Sequence, residues 1–358
     1  MTMLDIVGIG SLNLDLVAVA ETVNSLPKDR VRDVFRILEN VADRPAALSD
    51  IEEVLSLLGR DSFCASLGGS AFNTVHAMAE LKTGIKAGFV GISGNTGCGL
   101  DFKGLMRELS VDSRYVGCLP SEISGICLCI NRGGSRSLLN YPGCNRRITD
   151  HIQQKFEEIA GYLANARMLH ISSVADDMAP VAIAGVVEEA KRRNPDIKIS
   201  FDPGISWVRN ITPAIARIVR SADIIFLNAV EFRLLAEEKG DGTDMAMASR
   251  IFERYGMRDT ILVARLKAAV KLYCGCDGGI DERCIENRSA SPDRISDATG
   301  AGDTFEAGFL AVLLLKGMDS LKEAAEIGSS FAYARLTQSR ERIYPELSRI
   351  FFESRSIS

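Results

Sequence analysis

From residue 166 onward the chain alternates short apolar runs with stretches whose apolar residues recur at helical spacing. Met168-Leu-His-Ile-Ser-Ser, Lys198 to Asp202, Asp223 to Asn228 and Thr260 to Ala264 read as strands. Pro180 to Arg193, a segment near Pro213 to Arg220, and Ala229 to Glu238 read as helices between them. This alternation predicts an α/β fold: a doubly wound, mostly parallel sheet with helices on both faces. Ligands of such sheets gather at the carboxyl ends of the strands. Two stretches break the rhythm. Residues 11–35 and 115–142 are strand-like and carry turn residues such as Gly133-Gly134, so they are expected to form a small discontinuous β lid. Residues 1–10, 36–114 and 143–358 are then the main domain. Within it, Leu48, Ile51, Val54, Leu55 and Leu58 follow a Ser49-Asp50 start at helical spacing.

Composition narrows the class. The 358 residues are 46% hydrophobic and 25% charged, values of a globular chain with a substantial core. The formal charge is −5 with no basic run of five or more, which gives no support for a nucleic-acid or membrane-surface partner. No basic stretch leads into an apolar one at the start, and the longest apolar run, Ala307 to Leu315, is too short for a bilayer. A cytoplasmic protein is expected. The nine cysteines contain no C-x-x-C, and the pairs Cys127/Cys129 and Cys274/Cys276 have strand spacing; reduced, buried thiols are expected. Three histidines without an H-E-x-x-H argue against a zinc site.

Four segments carry candidate chemistry. Gly8-Ile-Gly10 after an apolar strand invites a dinucleotide reading, but the third glycine position is Asn13 and no helix follows. Alternation instead puts Leu12, Leu14 and Leu16 on one face and Ser11, Asn13 and Asp15 on the other, a polar face that either meets solvent or binds a polyol. Gly68-Gly69 lets backbone approach a ligand, and Asn73 lies one turn into the following helix; a plain turn and helix start reads equally well. Asn228-Ala-Val-Glu231 at a strand-to-helix junction is either a capping box or a site near hydrated Mg²⁺ and phosphates. Asp297-Ala-Thr-Gly-Ala-Gly-Asp303-Thr-Phe precedes an apolar helix. Its Gly300-Ala301-Gly302 amides form an anion hole suited to a transferring phosphoryl group. Asp303 beside them is either a general base for a substrate hydroxyl or a carboxylate that complements the helix dipole. No Walker A, HRD or DFG motif occurs, so any phosphoryl transfer uses a different cradle.

These segments, with Pro142-Gly-Cys-Asn145 between them, occur in an order that resembles the ribokinase-like (PfkB) family of carbohydrate and nucleoside kinases, over residues 5 to about 335. The resemblance implies transfer of the ATP γ-phosphate to a hydroxymethyl group. Asp303 is then the base and Gly300, Ala301 and Gly302 the anion hole. Asn13, Asp15, Gly68, Gly69 and Asn73 hold acceptor hydroxyls. Asn228 and Glu231, with Thr299, lie on the nucleotide side, Glu231 reaching Mg²⁺ through water. Asp297 falls where a monovalent cation, K⁺, binds in some members. Arg136, and the long segment between Asp15 and Gly68, are similar to the adenosine-kinase branch. A purine would find rings in the lid region at Phe63, Phe72, Tyr115 and Tyr141. The chain departs from the family where a glycine-containing loop follows a late strand: residues 265–271 hold no glycine. A sugar acceptor is the first expectation and a nucleoside the second. A non-catalytic nucleotide or sugar binder is the alternative of a different class. A monomer or homodimer fits.

Overall fold

The computed structural model describes residues 3–18, 27–40, 45–132, 135–238, 240, 242–276, 279–287, 299–339 and 342–355. Its main sheet has nine strands in the order β13-β12-β11-β10-β9-β8-β1-β4-β5. These are β1 (Leu4–Ile9), β4 (Ala87–Asn95), β5 (Asp112–Ile123), β8 (Ala166–Ser172), β9 (Lys198–Asp202), β10 (Ile224–Asn228), β11 (Ile261–Arg265), β12 (Ala269–Cys276) and β13 (Gly279–Glu286). From β11 through β5 every pairing is parallel; β12 and β13 add an antiparallel edge.

The continuous apolar runs are explained by burial on both faces. In β10, Ile225 and Leu227 enter the core on one side, with the helices Ala179–Arg193, Pro213–Ser221 and Asp244–Tyr255. Ile224 and Phe226 enter the other, with the helices Ser70–Glu80, Ala301–Lys316 and Leu321–Thr337. Helix Ala301–Lys316 packs on both of its companions, which is why Ala307 to Leu314 is apolar all round and buried. Among the described residues no helix is long and apolar enough to cross a membrane.

A second sheet of four strands, order β3-β2-β6-β7, is made of β2 (Asn13–Ala18), β3 (Phe63–Gly68), β6 (Gly125–Arg132) and β7 (Ser135–Tyr141). Helices Lys28–Asn40 and Leu48–Leu58 cover one of its faces through Val34, Ile37, Ile51 and Val54 against Leu14, Leu16, Leu128 and Leu139. The lid boundaries therefore differ from expectation in three places. Residues 115–123 belong to the main sheet, because Tyr115 and Val116 register with Val90 and Gly91 of β4. Residues 28–35 are helical, since Val31, Val34, Ile37 and Leu38 recur at helical spacing and are buried. Residues 63–68, placed in the main domain, pair antiparallel with β2, Asn13 opposite Gly68. Gly133 and Gly134 lie outside the described residues. The cysteines also correct the expectation. All nine are free thiols, but Cys64, Cys98, Cys118, Cys276 and Cys284 are exposed.

Candidate active site

The carboxyl ends of neighbouring strands bring the polar groups together. Ser172 of β8 registers with Asp202 of β9, and Asn228 of β10 with Arg265 of β11. Gly10 follows β1 and packs against the Ser172 hydroxyl, which accepts a hydrogen bond from the Ala71 amide at 3.1 Å. That bond docks the start of helix Ser70–Glu80 onto the sheet edge. Gly69, just before this helix, has φ +117, and a Cβ there would stand 2.0 Å from the Ser11 carbonyl oxygen. Only glycine lets the β2 entry and the helix start come this close.

Asp303 lies in the first turn of helix Ala301–Lys316, next to helix Ser70–Glu80. Its Oδ2 accepts from Asn73 Nδ2 at 2.7 Å, and its Oδ1 lies 2.7 Å from Ser70 Oγ. Thr74 Oγ1 donates to the Asp303 carbonyl at 3.2 Å. The Ser70 hydroxyl also lies 2.9 Å from Asp202 Oδ2. The Ser70 hydroxyl, with one proton to give, thus bridges the two carboxyl groups. Burial pushes the Asp303 carboxyl up; the hydrogen bonds from Asn73 and Ser70 pull it down, Asp202 adds to the rise and Arg265 opposes it.

Around this centre the carboxyls outnumber the cations. Arg265 Nη1 donates to Glu306 Oε1 at 2.6 Å, with the Glu306 side chain fully buried. Behind it, buried His170 sits with Nε2 3.4 Å from Glu306 Oε2 and Nδ1 3.0 Å from Ser200 Oγ. Burial drives Glu306 well above the ordinary carboxylate range and depresses His170 to about 4, so the imidazole is neutral. Glu231 is pushed up to about 7, first by burial and then by Asp202. Its Oε2 accepts from the Asn228 amide at 2.8 Å, while Asn228 Oδ1 accepts from the Val230 and Glu231 amides, a complete capping box. Among the described residues no three His, Cys, Asp or Glu side chains converge to hold a metal directly. The residues suit Mg²⁺ carried by phosphates and water: a divalent cation beside Glu231 and Asp202 would relieve the repulsion that raises Glu231.

On the lid side a cavity of about 530 Å³ is lined by Asp15, Asn73, Thr299, Gly300, Arg335 and Tyr344 among others. Asp15 lies over Gly68 and is buried. Asn13 is held beside it: buried Asn145 accepts from the Leu12 amide at 3.0 Å and donates to Asn13 Oδ1 at 2.9 Å. Of the expected acceptor and anion-hole residues, Asp15, Asn73 and Gly300 line this cavity; Asn13 and Gly68 adjoin Asp15, and Asp303 is bonded to Asn73. The Thr299 hydroxyl donates to Cys129 Sγ of β6 at 3.4 Å, and Thr299 lines the cavity. Arg136 falls on β7 opposite Asn131, with its side chain outside the described part. Asp297 lies outside the described residues. The four rings suggested for a purine are elsewhere. Phe72 is core against Phe89 and Phe102, Tyr115 meets Tyr162, and Phe63 and Tyr141 pack under the lid helices. The cavity's rings are His76 and Tyr344, 4.5 Å apart. Sequence reasoning missed Ser70, Asp202, Arg265, Glu306 and His170. Of these, Asp202 and Arg265 had a signal, each a charged residue at the end of an apolar strand.

A doubly wound sheet with a carboxylate beside helix amides at its carboxyl edge, next to a cavity partly lined by a β lid, is the arrangement expected of a small-molecule kinase. The chain belongs to the pfkB family carbohydrate kinases, which its sequence matches over residues 56–346, and it is an ATP-dependent phosphotransferase acting on a sugar or nucleoside hydroxyl. It is 27% identical over 280 residues to an ATP-dependent ribose-1-phosphate kinase from Halopiger xanaduensis, covering 76% of this chain and 81% of the relative. It is 25% identical over 321 residues to adenosine kinase from Saccharomyces cerevisiae, covering 87% and 88%. Among solved structures, a ribokinase II from E. coli in complex with ATP and Mg²⁺ matches with a TM-score of 0.70 at 17% identity, over 98% of this chain and all of that one, a likeness of fold.

Proposed function

We propose that the protein transfers the γ-phosphate of ATP to a hydroxymethyl group of a sugar, with Asp303 as general base and the Gly300, Ala301 and Gly302 amides as the anion hole. The observation that carries this reading is the Asp303 carboxylate. Ser70 and Asn73 hold it at the first turn of a helix, and Asn73 also lines the cavity that Asp15 lines. Asn13, Asp15 and Asn73 orient the acceptor. Asp303 takes the proton of the attacking hydroxyl as the new P–O bond forms, and the β–γ bond breaks to leave ADP. The helix amides meet the charge that develops on the moving phosphoryl group. Mg²⁺, bound through water by Glu231, would neutralise phosphate charge. Closure of the lid over the bound acceptor would exclude water, which limits loss of ATP to hydrolysis.

A nucleoside is the second reading. The cavity extends past Asp15 and Asn73 to the His76–Tyr344 ring pair, more room than one pentose fills. ADP release measured against pentoses, hexoses, sugar phosphates and nucleosides tests both. Acceptor-dependent ADP release with a sugar supports the first, and with a nucleoside only, the second. ATP binding without acceptor-dependent release across the panel overturns both in favour of a regulator. The same screen with and without potassium tests the cation expectation attached to Asp297.

A further inference from the structure

The kinase reading leaves Arg265, a largely buried cation, without a task. Arg265 ends β11, in register with Asn228 on one side. Its guanidinium packs against Gly302. A Cβ on that glycine would meet Nη1 at 2.7 Å, Cζ at 3.3 Å and Nη2 at 3.4 Å. The bare Cα of Gly302 thus makes room for the fork beside the anion-hole amides. The cation also sits 5.9 Å from the centre of the Phe305 ring. Glu306, one turn beyond Asp303, grips Nη1 from below at 2.6 Å.

We propose that Arg265 is a phosphate-contacting residue of the donor site and that Glu306 is its positioning residue. This rests on the kinase reading. A guanidinium offers five N–H groups in a planar fork matched to phosphate oxygens. Glu306 is its one hydrogen-bonded side-chain partner among the described residues, through Nη1. Stability alone is a poor reason to keep such a pair, because well-packed apolar residues in place of a buried ion pair are often neutral or stabilising. The position has a chemical reason. Arg265 stands between the Asn228–Glu231 corner and Gly302, where the phosphates of the donor must pass to reach the anion hole. Residues 265–271 contain no glycine to bring backbone amides close to that path. A side-chain cation can take their place. It is also the counter-charge among Asp202, Glu231, Asp303 and Glu306, which would otherwise repel a polyphosphate.

The test is calorimetric binding of MgATP and of AMP, at one ionic strength, to the parent protein and to variants. Arg265→Lys keeps a positive charge on Glu306 and so protects the fold; it is expected to weaken MgATP roughly 3- to 10-fold. Arg265→Met with Glu306→Leu removes both charges. It is expected to melt near the parent and to lose at least about tenfold in MgATP affinity, with AMP within about twofold. Glu306→Gln should weaken MgATP severalfold in the parent but add nothing in the Arg265→Met background, the non-additivity that a purely structural glutamate would not produce. MgATP affinity unchanged in Arg265→Lys and in the double variant, or equal losses for MgATP and AMP, overturns the role of Arg265. Equal effects of Glu306→Gln in both backgrounds overturn the role of Glu306. A parent protein that binds no MgATP overturns the kinase reading itself.

Discussion

Asn73 donates a hydrogen bond to Asp303 at 2.7 Å, joining two helices whose sequences lie 230 residues apart. The bond does two things at once. It fixes the carboxylate toward the cavity that Asn73 itself lines, and it favours the ionised form that can accept a proton. Ser70 adds a second hold from the same helix. In the proposed mechanism the base is then oriented by a helix that also lines the cavity proposed for the acceptor, so acceptor docking and base alignment would be coupled.

Asp303→Asn keeps the shape and the hydrogen-bonding frame but removes proton acceptance. Turnover with the acceptor found in the panel is expected to fall roughly 10²- to 10⁴-fold, the range for general-base contributions. MgATP affinity should stay within a few-fold and the unfolding midpoint should not drop, since the variant removes a buried charge. Steady-state kinetics beside calorimetry checks this, and turnover near the parent value would remove Asp303 from the mechanism.

Ser70→Ala tests the hydroxyl shared by Asp202 and Asp303. Burial already raises the Asp303 pKa, and the Ser70 hydrogen bond opposes that rise. Removing the hydroxyl takes away stabilisation of the carboxylate, so its pKa climbs further and the ionised fraction at a given pH falls. The acid limb of the kcat/KM profile is expected to move to higher pH. The deficit relative to the parent should widen as pH falls and shrink as pH rises. A uniform loss at every pH would show that Ser70 acts only through packing.

Much of this architecture is legible in sequence where one segment carries its own signal. Ile224–Asn228 and Ile261–Arg265 are short apolar runs ended by a polar residue, and Lys198–Asp202 alternates polar and apolar residues; the strands and their sheet edge follow from these patterns. Asp303 and the glycines before it are legible for the same reason. Contacts between distant segments are not. Ser70 meets Asp202 and Asp303 across 132 and 233 residues. Glu306 hides on a helix that reads as uniformly apolar, and His170 hides in a core strand. β3 is half-exposed, so its apolar pattern is weak and only its pairing with β2 assigns it to the lid. Phe72 has the composition of a ring platform and the burial of a core residue, and spacing cannot tell these apart.

Gly69→Ala tests the close approach that seats the acceptor-side helix. The added Cβ would lie 2.0 Å from the Ser11 carbonyl oxygen, a backbone atom that cannot swing aside, and the φ of +117 is itself strained for alanine. A loss of about 3 kcal/mol or more is expected, with acceptor affinity falling alongside. Gly97→Ala is the control. Its φ is also positive, at +71, but no atom lies within 4 Å of the added Cβ, so its cost should be about 1 kcal/mol. Denaturant unfolding of the two variants separates collision from backbone preference.

His170 gives the fold a dependence on pH that runs against its buried acids. Burial depresses its pKa from 6.5 to about 4; Asp202 opposes that shift and Arg265 adds to it, with Glu306 3.4 Å away. The unfolded chain therefore binds a proton more readily than the folded one between these values. The stabilising contribution is complete above pH 6.5 and is lost as pH falls toward 4. Asp303, Glu231 and Glu306 have raised pKa values and contribute in the opposite sense, so the histidine is isolated by difference. His170→Gln retains hydrogen-bonding to Ser200 without a titrating ring. Between pH 7.5 and pH 4.5 the parent should lose about 2–3 kcal/mol more unfolding free energy than this variant. Parallel stability curves for the two proteins over that interval would show that the imidazole does not resist protonation in the folded state.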